Sequence, residues 1–418
     1  MGSVEIFLNK ITKLITGKEF ISKYRTKPSY FTRSSAKLTF DKLATYLLSL
    51  PRLSAQAAIN RFIREMGYDF TMHKQSLFEA REKLSHRLFV DLNNEHFQEH
   101  FCSDGFKTYR GMRVIGVDGS VFEVPSGAKY FGTQPTVGRP VPKARAVAFT
   151  DVLNEHILRA DLKPYLHSEI DIAKEMLDDF LQGDIDELFL FDRGFFSREF
   201  ARLLESRAKF VFRVSSATLK EINDANEPDQ IIVRKDKNKP DLHLRVINFV
   251  LPTGEVEKLV TNIFDDSYTV EDFGEIYNMR WGVEISFLTL KQRLQIEDFS
   301  SAKTELILQD FHTAVFMHNL MIACINEADN DILSVFNESK KYDYKPNKNL
   351  AIGEVRNLLI ESFLYDNPQK RKTAFLRAIY AIATYVVPIR KGRVSPRPHN
   401  PDYPKSYKFN LNQKKGLA

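Results

Sequence analysis

Apolar residues in the first 108 positions recur at steps of three and four, which is the spacing of amphipathic helices. The segments 38–50, 54–66 and 73–92 show this spacing most clearly. Ser54 is placed to cap the second of these helices, and Gly67 is placed to end it. The pattern predicts an all-α domain over residues 1–108.

The second and third of these helices flank residues 67–70 and form a candidate helix-turn-helix. In that interpretation Lys74, Ser76, Arg81 and Lys83 are available to DNA. The alternative is a helical hairpin that packs against the rest of the protein. A helix pair alone does not separate the two hypotheses.

A different pattern begins near residue 111, where short apolar runs replace the helical period. A run that is apolar throughout, such as 188–191, is typical of a strand buried on both faces. Strands that alternate with helices favour a mixed sheet covered by helices. The predicted strands are 113–117, 146–153, 157–162, 188–191 and 210–214, and the predicted helices are 170–181 and 197–208.

The stretch from about 216 to 263 has no helical period and reads as antiparallel strands joined by turns. Helix returns at about Val270 and dominates to about Val387. The predicted strands are 231–234, 242–251 and 258–263, with a turn at Pro252, Thr253 and Gly254. The predicted domains are 1–108, a core over 109–302 with a β-rich insertion at about 216–263, C-terminal helices over 303–388, and an irregular tail over 389–418.

The composition narrows the class of protein. A hydrophobic content of 43% and a charged content of 27% are ordinary for a folded protein and exclude disorder and a collagen-like repeat. The chain has only two cysteines, Cys102 and Cys324, which excludes a disulfide scaffold, and they lack the spacing of a metal site. We therefore expect both to be buried thiols in a reducing compartment. No secretory signal or bilayer-spanning stretch is evident, which predicts a soluble cytoplasmic protein with no membrane partner.

The positive charge of the chain is concentrated at its end. The formal net charge is +6, and residues 389–418 hold eight basic side chains and one acid. That segment therefore carries +7, which leaves about −1 for the first 388 residues. A basic tail of this kind is typical of a segment that binds nucleic acid.

Two aspartates follow strand-like runs. Asp118 comes after 113–117 and precedes Gly119, and Asp192 comes directly after 188–191. Ligands of open α/β sheets gather outside the carboxyl ends of strands, so the two aspartates could face one crevice. A carboxylate there is costly unless it is paired or binds a cation. The alternative is that each aspartate only caps a turn or the following helix.

Tyr277, Arg280, Glu284 and Lys291 have the spacing of one helix face. At about 100° per residue they fall within roughly a sixth of the circumference, beside an apolar stripe. We therefore expect one helix that presents the four side chains in a row at its rim. Trp281, beside that row, is expected to pack against the protein.

The row suits phosphodiester chemistry. Glu284 supplies a carboxylate for a hard divalent cation, and Arg280 and Lys291 suit phosphate oxygens. Tyr277 can stack or donate a hydrogen bond to a nucleic-acid backbone. The alternative is an exposed face on which Arg280 and Glu284 form an ordinary ion pair one turn apart.

Together these residues resemble the IS4 family of bacterial insertion-sequence transposases, which are DDE enzymes with a ribonuclease-H-like core. The resemblance rests on Asp118 within residues 117–120, on Asp192 within residues 192–195, and on the Tyr-x2-Arg-x3-Glu-x6-Lys series at 277–291. It covers roughly residues 110–300. Phe195 and Phe196 stand where a tyrosine is common in the family.

The resemblance implies an α/β ribonuclease-H-like catalytic core with a β-rich insertion, flanked by an all-α N-terminal domain and a helical C-terminal region with a basic tail. Asp118, Asp192 and Glu284 would be the catalytic residues and would hold two Mg²⁺ (or Mn²⁺) ions. Arg280, Lys291 and Tyr277 would bind DNA. The exposed lysines expected in the insertion, Lys235, Lys237 and Lys239, either contact DNA or belong to a solvated hairpin.

The implied reaction is cut-and-paste transposition in the bacterial nucleoid. The implied partners are double-stranded DNA, as transposon inverted-repeat ends and as target, and a second copy of the chain in the synaptic complex. Two alternatives stay open. One is an inactive or domesticated DNA-binding relative, although all three carboxylates are present; the other is a metal-dependent nuclease without strand transfer.

Overall fold

The computed structural model describes residues 2–103, 105–132, 142–180, 185–215, 219–236, 239–251, 254–329 and 343–389. The chain divides into two compact units. The helical unit is drawn from Met1–Phe101, Glu123–Lys129 and Thr289–Ala418, and the sheet unit from Cys102–Phe122 and Tyr130–Leu288. The predicted basic tail after residue 389 lies outside the described residues.

The N-terminal part of the helical unit is α-helical, as its apolar period predicts. Phe62, Ile59 and Leu47 are among the buried side chains that give these helices their apolar faces. A π-helical segment, Leu92–Phe97, joins the last two helices. The helices are α1 (Ser3–Thr16), α2 (Lys18–Tyr24), α3 (Phe40–Leu48), α4 (Ala55–Glu65), α5 (Lys74–Arg81), α6 (Arg87–Asp91) and α7 (Gln98–Phe101).

The predicted helix over 73–92 is wrong as a single element, because α5 ends at Arg81 and α6 starts at Arg87. Arg81 is also not available to DNA. Its guanidinium is buried and donates to Asp310 Oδ1 at 2.7 Å and to Gln309 Oε1 at 3.0 Å. Lys74 and Ser76 are exposed, and Lys83 is half-buried.

An eight-stranded mixed sheet is the centre of the sheet unit. Its strands are β1 (Arg113–Glu123), β2 (Lys143–Asp151), β3 (His156–Pro164), β4 (Glu187–Phe191), β5 (Lys209–Val214), β6 (Asp229–Asp236), β7 (Lys239–Val250) and β8 (Val256–Thr261). They are arranged in the order β3-β2-β1-β4-β5-β8-β7-β6. β4 runs parallel to both of its neighbours, β1 and β5, whereas β8 is antiparallel to β5.

The three predicted strands of the insertion are β6, β7 and β8, and they extend the same sheet rather than forming one of their own. Lys235 and Lys239 are exposed there, as expected. Lys237 lies outside the described residues, as do Pro252 and Thr253 of the predicted turn; Gly254 has a positive φ of 86°.

Helices cover both faces of the sheet, and successive residues of β4 point to opposite faces. Leu188 and Leu190 belong to a buried cluster with Phe273 and Ile276. On the other face the ring of Phe191 lies 5.1 Å from that of Phe200, in the helix Arg198–Glu205. The helices of this unit are α8 (Glu169–Phe180), α9 (Arg198–Glu205), α10 (Lys220–Asn223), α11 (Val270–Met279) and α12 (Trp281–Leu288).

The remaining helices belong to the helical unit: α13 (Thr304–Ala328), α14 (Lys348–Leu364) and α15 (Pro368–Thr384). Two short antiparallel strands that the sequence pattern does not predict, β9 (Tyr344–Pro346) and β10 (Val386–Pro388), accompany them. Across the part of the chain that the structure describes, every helix falls short of the length and hydrophobicity needed to cross a bilayer.

Candidate active site

The central strands place two aspartates side by side. β1 pairs in parallel with β4, and Val117 is the register partner of Phe191. Asp118 and Asp192 are the next residues along the chain, Asp118 within β1 and Asp192 just after β4. The parallel pairing therefore brings them to the same edge of the β1–β4 ladder, as the sequence predicts.

The two aspartates differ in backbone context. Asp192 follows the last residue of β4, and its Oδ1 accepts a hydrogen bond of 2.7 Å from the N–H of Arg193. The expectation that Asp118 ends its strand is wrong, because β1 continues to Glu123. β1 has a neighbour on each edge, β2 and β4, so it can stay in the sheet after β4 has ended. Asp118 Oδ1 accepts from the N–H of Gly119 at 2.9 Å.

The third acid comes from the helices that follow β8. Thr269 caps α11 through a reciprocal capping box with Asp272, which fixes where this helix begins. The predicted single helix is interrupted at Arg280, whose N–H bonds to the carbonyl of Tyr277 only three residues earlier. Glu284 lies in the first turn of α12.

The prediction of one helix that presents Tyr277, Arg280, Glu284 and Lys291 in a row at its rim is wrong, because the helix is interrupted at Arg280 and Lys291 falls in a π-helical turn. Tyr277 and Arg280 are buried, at 5% and 3% exposure. Lys291 lies in a π-helical turn, Thr289–Arg293, that belongs to the helical unit. Trp281, expected to pack, is 53% exposed.

Arg280 links two of the acids. Its Nη2 lies 2.8 Å from Glu284 Oε1, which is the i,i+4 ion pair that the sequence left as an alternative. Its Nη1 lies 3.9 Å from Asp118 Oδ2. Nε and Nη1 are buried and have no hydrogen-bond partner among the described residues. Burial disfavours the charged guanidinium, but Tyr277 and the surrounding carboxylates outweigh it and raise the pKa of Arg280.

The neighbours of Asp192 are Tyr277, which the sequence pattern singles out, and Arg213, which it does not. The Tyr277 hydroxyl donates to Asp192 Oδ1 at 3.3 Å, and burial raises the pKa of Tyr277, so the phenol keeps its proton. Arg213 of β5 lies 3.8 Å from the same oxygen and forms an ion pair with Glu257 of β8. Nothing in the sequence around Arg213 or Glu257 marks them, because strand pairing alone brings them together.

Burial raises the pKa of Asp118 to about 6. Arg280 and the Gly119 N–H oppose the shift, whereas the charges of Glu284 and Asp192 add to it. The three carboxylates thus interact electrostatically within one unit. An uncompensated negative charge at Asp118 is costly, which is the situation that a bound cation relieves.

Two glycines let α12 approach the sheet. A Cβ on Gly116 of β1 would lie 2.9 Å from Val152 Cγ1 and 3.3 Å from Val283 Cβ. A Cβ on Gly282 of α12 would lie 2.9 Å from Val152 Cβ. Because a side chain at either position would push the helix away, both glycines position Glu284. In the sequence, a glycine inside a strand or helix pattern can indicate such a close approach of two elements.

The donor set fits a hard divalent cation, since Asp118, Asp192 and Glu284 offer carboxylate oxygens and no sulfur or nitrogen. Among the described residues no group of three such side chains is already close enough to hold a metal ion. Glu284 is committed to Arg280, so a cation would have to compete with the guanidinium for it.

The chain is similar to known transposases. The model of the transposase DDE domain matches residues 109–320. A curated relative, the transposase InsG of insertion sequence element IS4 from Escherichia coli (strain K12), is 23% identical over 231 residues. The match covers 50% of this chain and 52% of the relative, so the chain spans about half the length of that protein.

A solved structure, the piggyBac transposase synaptic complex with hairpin DNA, aligns with a TM-score of 0.47 at 13% identity. The alignment covers 92% of this chain and 86% of that one. The family match spans Asp118, Asp192 and Glu284 together with the sheet that carries them. The resemblance to IS4-type transposases is thereby confirmed, and the chain belongs to the transposase DDE domain family.

Proposed function

We propose that this protein is a metal-dependent transposase of an insertion sequence, with a ribonuclease-H-like core, that cuts transposon ends and joins them to target DNA. The observation that carries the proposal is the position of Asp118 and Asp192 at one edge of parallel strands, with Glu284 connected to Asp118 through Arg280. Domain limits at 109–302 and 303–388 are part of the proposal.

The site supports two successive phosphoryl transfers. In the first, a water oxygen bonds to phosphorus at the transposon end while the bond to the 3′ oxygen breaks, and that oxygen leaves as a 3′-hydroxyl. In the second, this hydroxyl bonds to a target phosphorus and the target's own 3′ oxygen leaves. Two Mg²⁺ or Mn²⁺ ions, when held by Asp118, Asp192 and Glu284, would supply nucleophile activation and charge stabilisation.

The protein's own side chains have separate tasks in this proposal. Tyr277 orients Asp192 through its hydroxyl. Arg280 keeps the acids from repelling one another before the cations bind, and releases Glu284 when they do. Lys291 is proposed to contact the DNA backbone, and a second copy of the chain is proposed to complete the synapse of two transposon ends.

A joining assay separates the three candidate activities. The protein is incubated with Mg²⁺, a linear donor that carries the DNA flanking its gene, and a target plasmid. Cleavage followed by joining supports the transposase, cleavage alone supports a nuclease, and binding without cleavage supports a DNA-binding relative. The last two outcomes would each overturn the proposal.

A further inference from the structure

The segment between α2 and α3, residues 25–39, is the basic loop. It contains Arg25, Lys27, Arg33 and Lys37 and no acidic residue. The side chains of Lys27, Arg33 and Lys37 are exposed. Hydroxyl groups, which can donate hydrogen bonds to phosphate oxygens, lie exposed among them at Thr26, Ser29, Thr32, Ser34 and Ser35.

The cations of the basic loop are not neutralised. Among the described residues, no carboxylate lies within ion-pair distance of Lys27, Arg33 or Lys37; Lys37 Nζ donates instead to the carbonyl of Thr71 at 3.3 Å. Elsewhere in the helical unit exposed cations do have such partners, as in the pair between Lys23 and Asp91 at 2.9 Å. Like charges held close together repel, and a polyanion relieves that repulsion.

The basic loop is fixed in place. The N–H of Thr26 donates to the carbonyl of Lys83 at 2.9 Å, and the Thr26 hydroxyl donates to the carbonyl of Glu82 at 3.2 Å. The ring of Tyr30 lies 5.8 Å from Lys27 Nζ and 5.4 Å from Lys83 Nζ. A charged surface that is already ordered loses little conformational entropy when it binds.

The same contacts join the loop to α5. Lys83 lies two residues after α5, and Thr71, which Lys37 contacts, precedes this helix. Lys74 at the start of α5 is exposed, and its N–H is held by Gln56 Oε1 at 2.9 Å. Residues 74–83 contain two acids: Glu82 forms an ion pair with Lys303, whereas Glu79 accepts a hydrogen bond from the neutral Gln75 and keeps its charge. The basic loop supplies four cations, and Lys74 and Lys83 supply two more, so the net charge of this surface stays positive.

We propose that the basic loop together with the start of α5 binds the phosphate backbone of duplex DNA. The proposal rests on the proposed function, which supplies DNA as the substrate. An anionic membrane is less well matched, because a membrane-binding face exposes large apolar side chains. Here Tyr30 and Phe31 are half-buried and Leu38 is buried.

The test measures binding to a short fluorescent DNA duplex as a function of salt, with EDTA in place of Mg²⁺ so that binding is measured without cutting. One variant combines Lys27→Gln, Arg33→Gln and Lys37→Gln. The control combines Lys13→Gln, Lys370→Gln and Lys372→Gln, which removes the same charge from other exposed positions of the helical unit. Circular dichroism melting checks that both variants fold.

We expect the loop variant to lower the salt slope of log K by about 2 to 3 and the affinity at least tenfold, since each lost phosphate contact removes about 0.9 from the slope. The control should leave both close to the parent values. A charge-keeping variant, Lys27→Arg with Arg33→Lys and Lys37→Arg, should keep the slope.

Equal losses in the loop variant and the control would overturn the inference. So would unchanged DNA binding accompanied by lost binding to phosphatidylserine vesicles, which would point to a membrane. These readouts need no cleavage. Failure of the wild type to cut DNA would therefore contradict the proposed function and leave the surface assignment standing.

Discussion

Arg280 shapes the electrostatics of the carboxylate site because it is buried and reaches two of the three acids. It lies 2.8 Å from Glu284 and 3.9 Å from Asp118. A guanidinium in this position keeps the acids assembled without a cation, yet it also competes with a cation for Glu284. Arg280 therefore compensates the negative charge of Asp118 only in part.

Replacing Asp118 with Asn should stabilise the metal-free protein at pH 7.5 by about 2 kcal/mol. The folded pKa of Asp118, about 6, lies above the value of about 3.9 expected in the unfolded chain, so protonation favours the folded state. That stabilisation is complete below about pH 4 and is lost as the pH rises through about 6.

Urea unfolding in EDTA at pH 5 and pH 7.5 measures the effect. The advantage of Asp118→Asn should shrink at pH 5, where the wild-type carboxyl is largely protonated. Asp192→Asn is the control, since this side chain is more exposed, at 37% against 22% for Asp118. An advantage of Asp118→Asn that does not change with pH would contradict the assignment.

Arg81→Gln should destabilise the protein by about 3 kcal/mol, because it leaves the carboxylate of Asp310 buried without its guanidinium partner. Lys74→Gln on the same helix changes an exposed cation and should leave stability within about 0.5 kcal/mol. Thermal melts of both variants check this. Equal, small shifts would mean that Arg81 does not have the buried structural role that its contacts indicate.

Residues whose role is set locally were predictable, and residues whose role is set by distant contacts were not. Asp192 could be placed because the apolar run before it marks a buried strand. Arg81 looked like a surface residue of a helix pair, since its partner Asp310 is 229 positions away. Tyr277 and Arg280 were identified, but their burial depends on how their helix packs onto the sheet.

At the scale of elements, the periodic patterns predicted most strands and helices. They did not predict where a helix is interrupted or how far a strand continues. The break at Arg280 has no proline to signal it, and Gly119 made β1 look as if it ended at Asp118. The three strands of the insertion were predicted, but the pairing of β8 with β5 was not, because strand pairing depends on contacts outside the segment.

Gly282→Ala should lower stability by about 1–3 kcal/mol and reduce DNA cutting, because the added methyl group would press on Val152 and shift α12. The matched control is Gly353→Ala in α14, where a Cβ would have no neighbour within 4 Å. Alanine favours helix, so this control should gain about 0.5–1 kcal/mol. Chemical denaturation compares the two, and a stabilised Gly282→Ala variant would show that the close approach is not required.

The whole molecule combines a sheet unit that carries the three acids with a helical unit that contains the basic loop. The sequence assigned most of the positive charge to the tail after residue 389. In the helical unit the basic loop forms a positive surface that the overall charge of +6 does not reveal. Composition sums charges along the chain, whereas a surface forms from residues that folding brings together.

We propose that Asp118, Asp192 and Glu284 form one DNA-cutting site. Single-turnover cleavage of labelled DNA from the flanks of the gene, with Mg²⁺, by Asp192→Asn and Glu284→Gln tests this proposal. Their controls are Asp266→Asn and Glu275→Gln, which change exposed acids of the same unit. We predict that the first pair bind the DNA and do not cut it, while the controls cut at the wild-type rate. Wild-type cutting by Asp192→Asn or Glu284→Gln would contradict the account.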